Sequence, residues 1–154
     1  MARKRAYRYA SPMRSSLAAA AVLLLAACTQ APDAALPGNA EDDQPFTAIG
    51  EDEVIRVLGT EPFWGGEIAH GMITWSTPEI PDGQRVPLTR FAGRGGLSFS
   101  GELDGRPLDI AITPATCSDG MSDRTYPYAA TVQLGDQQLN GCGWSEREGY
   151  TGGE

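Results

Sequence analysis

The chain has 154 residues and a formal net charge of −8, from 20 acids against 12 basic residues, with one histidine and three cysteines. Five of the basic residues fall within the first fourteen positions, so everything after them carries seven arginines against twenty carboxylates, a net charge of −13. That balance makes nucleic acid and anionic membrane surfaces poor electrostatic partners, because both require positive patches; it favours a cationic partner, or else serves only to keep the protein soluble.

Arg3, Lys4, Arg5, Arg8 and Arg14 stand without an acid among them, and Leu17 to Ala27 is an unbroken apolar run. This is the charged n-region and short apolar h-region of a secretory signal. The run is too short to span a bilayer, which takes about 20 residues. It ends in Leu25-Ala26-Ala27-Cys28, which resembles the lipobox of bacterial lipoproteins and makes Cys28 the expected site of diacylglyceryl attachment and the first residue of the mature chain. Met13 is an alternative start, since Met13-Arg14 followed by the same apolar run also forms a complete signal. Thr29 in place of an aspartate after the lipidated position implies, by resemblance to proteobacterial lipoproteins, delivery to the outer membrane if the source is Gram-negative.

Residues 1–27 therefore read as signal peptide and residues 28–52 as a lipidated, disordered acidic tether. The tether is rich in Ala and Pro and carries Glu41-Asp42-Asp43 and Glu51-Asp52-Glu53. Residues 53–150 read as a single folded domain with room for a modest core.

Within that domain the periodicity is that of strands. Val54–Leu58 is rich in β-branched residues and ends at Gly59. Glu67–Ala69 and Met72–Thr77 flank His70-Gly71 as a hairpin, and Gln84–Phe91 reads as a weaker strand that Pro87 demotes to an edge or an irregular segment. The clearest hairpin is Leu97–Leu103, Asp104-Gly105, Arg106–Thr113, because Asp-Gly supplies the positive φ angles of a two-residue type I′ turn. Counting from that turn sets Gly101 opposite Leu108, Phe99 opposite Ile110 and Leu97 opposite Ile112. The same count from Gly135-Asp136 sets Val132 opposite Leu139 and Ala129 opposite Cys142, and puts Tyr126, Tyr128, Ala130, Val132 and Leu134 on one apolar face. About eight short antiparallel strands, with no stretch at helical period outside the signal peptide, predict a small all-β barrel or sandwich, and first among these a meander barrel, a topology that closes a sheet without edges.

If the chain is exported, Cys117 and Cys142 are its only cysteines free to pair with each other, which predicts one disulfide closing the polar loop after Cys117 onto the last strand. That loop concentrates Ser118, Asp119, Ser122, Asp123 and Arg124, the candidate binding residues. Their spacing lacks the further acids of a calcium loop, so no metal is expected; Asp119 and Ser122 also suit turn capping, and Arg124 suits an ion pair with a nearby acid. Trp64 and Phe63 read as core aromatics. His70 has no nucleophile beside it in any recognisable motif, and no carboxylate pair is singled out for glycoside hydrolysis, so neither catalytic residues nor a cofactor are expected.

Gly59-Thr-Glu-Pro-Phe-Trp64, Cys117-Ser-Asp-Gly-Met-Ser-Asp-Arg-Thr-Tyr-Pro-Tyr128 and Gly141-Cys142 together resemble a family of bacterial envelope lipoproteins without an assigned activity, related in architecture to META-type and lysozyme-inhibitor-like β domains. The resemblance covers about Val54 to Trp144 and implies an envelope location. The leading expectation is a non-enzymatic binding or envelope-maintenance module. One alternative is inhibition of a C-type lysozyme, a basic protein, although the Ser-Gly-rich loop of such inhibitors is matched only loosely by Ser118 to Tyr128. The other is a carboxylate-dependent enzyme acting on envelope glycans through residues such as Asp119 and Asp123.

Overall fold

A computed structural model describes residues 43–153. The signal region, Cys28 and most of the tether lie outside the described residues. Eight antiparallel strands form a closed barrel in which each pairs with its sequence neighbours and the last returns to the first. They are β1 (Ile55–Thr60), β2 (Phe63–Ala69), β3 (Met72–Thr77), β4 (Ile80–Ala92), β5 (Leu97–Leu103), β6 (Arg106–Cys117), β7 (Tyr126–Leu134) and β8 (Gln137–Ser145).

The alternation of apolar and polar residues decides which way each strand faces. β1 buries Ile55 and Val57, β5 buries Leu97, Phe99 and Leu103, and β6 buries Leu108, Ile110 and Ile112. The β5–β6 register pairs Leu97 with Ile112, Phe99 with Ile110 and Gly101 with Leu108, as the turn chemistry requires. Asp104 and Gly105 have φ values of 51° and 75°, the signature of a type I′ turn. Val132 pairs with Leu139 and Ala129 with Cys142, again as counted from the turn.

Pro87 does not mark an edge. β4 is the longest strand, with 13 residues, and it is paired on both sides. The proline is accommodated at the point where the strand changes partner. Met72 opposite Pro87 is the last β3–β4 pair on that side, Leu88 is the residue whose N–H donates to Gly71 O, and pairing with β5 begins only at Leu88. The nitrogen of Pro87 faces away from β3, toward a stretch where no β5 ladder exists, so its missing N–H costs no hydrogen bond.

The folded unit also extends beyond 53–150 on both sides. Ile49, placed by sequence in the tether, is 1% exposed and belongs to the core, and Phe46 packs against the same cluster. Phe46 N–H donates to Gly93 O, and the Arg90 guanidinium donates to Ile49 O at 3.0 Å. A segment with only two large apolar residues carries no periodicity to read, yet these two suffice to stopper a narrow barrel. At the other terminus Thr125 and Thr151 exchange backbone hydrogen bonds, so the chain is tied down past Tyr150.

Up-and-down strands give the barrel two distinct ends. The β2–β3, β4–β5 and β6–β7 connections and the stopper segment share one end, here the closed end. The turns between β1 and β2, β3 and β4, β5 and β6, and β7 and β8 share the other, the open end.

Candidate functional site

The β6–β7 loop, where sequence placed the binding residues, is strapped to the outer wall. Cys117 and Cys142 are bridged, with Cα atoms 5.6 Å apart. Thr60 Oγ1 donates to Asp119 O, so the loop crosses β8 and reaches β1. Within it Asp119 is the organiser: Oδ1 accepts from Met121 N–H and Ser122 N–H, and Oδ2 accepts from the Ser122 hydroxyl and the Tyr126 hydroxyl. These bonds hold the Asp119 carboxyl far below the usual carboxylate range, the backbone donors of Ser122 and Met121 contributing most. Ser118 Oγ accepts from Gly120 N–H and Ser122 Oγ from Arg124 N–H. Asp123 is exposed. The side chains of Ser118, Asp119 and Ser122 thus satisfy one another or the loop backbone. Ser118 and Asp119 also line a small hollow of ≈ 220 Å³ between the loop, β1 and β8.

Among the described residues no acid forms the ion pair with Arg124 that sequence suggested. Its guanidinium lies 4.4 Å from the centre of the Tyr150 ring, a cation–π contact. Tyr150, Trp144 and Tyr126 form a cluster with ring centres 5.4 to 5.6 Å apart. Tyr126 is fully buried but in this outer cluster rather than in the core that holds Tyr128. The cause is a register shift between Pro114 and Cys117, which inserts extra residues in β6 opposite the start of β7 and turns that end of the strand outward.

At the closed end a second polar cluster locks the stopper. Glu53 accepts from Gly50 N–H and Arg147 N–H, and its side chain is only 7% exposed. Burial pushes its carboxyl up, but hydrogen bonds from Ser145, Gly50 and Arg147 outweigh burial and hold it below the usual range. The Tyr128 hydroxyl donates to Glu148, and burial together with that carboxylate pushes the phenol well above its ordinary value.

The open end is different in kind. A cleft of ≈ 500 Å³ opens there, with Trp75, Leu103, Leu134 and Leu139 as its floor and Pro62, Phe63, Pro78 and Ile80 at its rim. The floor residues are almost fully buried, while Phe63 is 53% and Ile80 41% exposed. Phe63 is therefore not a core aromatic, though its neighbour Trp64 is. Trp64 stacks on Trp75 with ring centres 5.0 Å apart and planes 7° from parallel. Its indole edge fits against Gly59 and Gly141. A Cβ at Gly59 would come within 2.0 Å of the indole nitrogen, and one at Gly141 within 1.9 Å of Leu58 O. The indole N–H faces that glycine wall and makes no hydrogen bond.

Sequence reasoning missed this cleft because no motif marks it. The available signal was a coincidence of position: Phe63, Pro78 and Ile80 all fall at the turns that a meander brings to one end. Among the described residues, no three His, Cys, Asp or Glu side chains converge as metal ligands. Comparison with family profiles, curated proteins and solved structures returned no match.

Proposed function

We propose that this protein is a lipid-anchored, non-enzymatic binding module of a bacterial envelope, and that it takes a small ligand in the open mouth of the barrel. The observation that carries the reading is the cleft itself. Its ≈ 500 Å³ falls within the range of small-molecule sites, and it combines an apolar floor with exposed apolar rim residues and a few polar groups, Gln84, Gln137 and Arg106 among them. A hydrophobic cleft ringed by exposed Phe and Ile is a surface that water does not stabilise and a ligand can cover. The β6–β7 loop fits a scaffold role beside it, since most of its polar groups are already engaged.

The anchoring half of the reading rests on the charged n-region, the apolar run and Leu25-Ala-Ala-Cys28. A diacylglyceryl group adds two buried chains at about 0.8 kcal/mol per CH₂, enough for stable membrane attachment. Fractionation of cells expressing the wild-type chain and Cys28→Ala tests it: the wild type should sediment with membranes and carry lipid, and equal lipid labelling of the variant would overturn the assignment. For the mouth, titration with the neutral probe 4-phenylbutanol should give a saturable change in tryptophan fluorescence through Trp75. A response unaltered by Phe63→Ala would mean that the probe sits elsewhere.

A further inference from the structure

The charges around the mouth are distributed unevenly. Each of the four turns at the open end presents a carboxylate to solvent: Glu61 between β1 and β2, Glu79 between β3 and β4, Asp104 between β5 and β6, and Asp136 between β7 and β8. Among the described residues Arg106 is the one cation that lines the cleft, and its stem lies along Gly135, on the β7–β8 side. The closed end carries both signs, with Arg90, Arg94 and Arg147 near Glu51, Asp52, Glu53, Glu146 and Glu148. An apolar cleft lined by Glu79 and Asp104, with Glu61 and Asp136 exposed on the two other turns of that end, carries a field that selects for ligand charge, because summed surface charges act even where each is partly screened. Phe63 adds a half-exposed aromatic face beside that ring of acids, a surface to which an organic cation is also drawn by the ring quadrupole.

Resting on the reading of the mouth as a ligand site, we propose that the ligand is an organic cation: a molecule with an apolar body that enters the cleft and an ammonium-type head that stays at the rim between Phe63, Glu79 and Asp104. The apolar part covers Phe63, Ile80 and the leucine floor. The head remains in water-exposed surroundings, so it keeps most of its hydration while gaining the field of the carboxylates. An anionic head would meet the same field with the opposite sign, since Arg106 is outnumbered by Glu79 and Asp104 at the lining and by Glu61 and Asp136 on the adjoining turns.

The test is a matched series with one apolar body and three heads: 4-phenylbutyltrimethylammonium, 4-phenylbutanol and 4-phenylbutylsulfonate. Each is titrated by tryptophan fluorescence and calorimetry against the full exported chain in nanodiscs of neutral lipid, with empty nanodiscs subtracted. The cation is expected to bind about tenfold more tightly than the sulfonate, with the alcohol between them. The double variant Glu79→Gln/Asp104→Asn is expected to shrink that gap to about threefold or less, with the alcohol titrated against each variant as the reference for any change in the apolar site, and raised salt to shrink it likewise. Phe63→Ala should weaken the alcohol and the cation together. Equal or tighter binding of the sulfonate, or a gap untouched by the double variant, overturns the charge assignment while leaving the mouth as a site. No saturable binding of any of the three overturns the mouth as well.

Discussion

At the closed end, Ile49 and Phe46 fill the barrel, Arg90 holds the Ile49 carbonyl, and Glu53 ties the incoming segment to the turn after β8. At the open end nothing in the described chain plays that part, and Phe63 and Ile80 stand at the rim of an uncovered cleft. Both ends face the same physical problem, since a barrel of this size exposes the tops of its inward-facing side chains wherever its strands stop. The first solution uses the chain's own residues and stabilises the fold. The second leaves apolar surface in water, which costs stability and is retained where something else covers it. Stability and binding should therefore separate along the barrel axis.

The largest effect is expected at the stopper. Ile49→Ala removes a fully buried side chain and leaves a cavity that the rigid strand ends cannot close, so it should destabilise by about 2 to 5 kcal/mol in denaturant titration. A loss below about 1 kcal/mol would mean that the stopper is an ornament and the two ends are alike. Next comes the bridge on the outer wall. Reducing Cys117–Cys142, which closes a span of 25 residues, should cost about 3 kcal/mol on the chain-entropy account. Because the bridge lies on the wall and not at the mouth, 4-phenylbutanol affinity should stay within about twofold while the domain remains folded. A parallel loss of affinity would couple the loop to the mouth.

A smaller effect separates the regions by pH. Glu53 and Asp119 both have folded carboxyl pKa values below the unfolded references of 4.5 and 3.8. A depressed pKa adds stability that is present above the unfolded value and is lost as pH falls through the folded one, so the melting temperature should drop on acidification from about pH 5 to about pH 3. Glu53→Gln should start lower and fall less. Tyr128 and Tyr126 are raised above the ordinary value of 10.0, burial being the largest cause in each. Their contribution is complete below about pH 10 and is lost as pH rises from there toward the folded values, and Tyr128→Phe should flatten part of that alkaline limb. These four groups lie at the closed end or in the strapped loop, so Phe63→Ala should leave both limbs unchanged; at the rim the Thr77 hydroxyl holds the Glu79 carboxyl below the usual range, and Glu79→Gln should soften the acid limb.

How much of this was readable from the residues follows the same division. The barrel and two of its hairpin registers were legible because Asp104-Gly105 and Gly135-Asp136 fix two-residue turns and the alternation in β5 to β8 fixes the faces. The disulfide followed from a cysteine count. The stopper was not legible, since Phe46 and Ile49 are too few to make a period, and Pro87 misled because a partner change inside one strand is a tertiary event. Tyr126 turned outward for a similar reason, a register shift opposite it. At the loop, Asp119 has the turn-capping geometry that its neighbours allowed. Arg124 found an aromatic face that lies far along the chain, at Tyr150. The mouth combines four turns from the whole length of the domain, and no local pattern announces a cleft assembled that way.

The smallest change in stability is expected at the rim, and there the comparison is most exposed to refutation. Phe63 pairs with Thr60 at the very end of the β1–β2 ladder, and about half of its surface already faces solvent. Ile80 opens β4 in a similar position opposite Thr77. Cutting either back removes little area that folding had buried, so Phe63→Ala and Ile80→Ser should each change stability by less than about 1 kcal/mol. The same changes strip the walls that a ligand would touch, so affinity for 4-phenylbutanol should fall about fivefold or more in each, a loss set by contacts made only in the complex. Ile49→Ala should give the mirror image, a large loss of stability with affinity preserved in the fraction that remains folded. If Phe63→Ala instead destabilises as much as Ile49→Ala, the rim is a second stopper that closes the barrel from above, and the open end is core surface rather than a site.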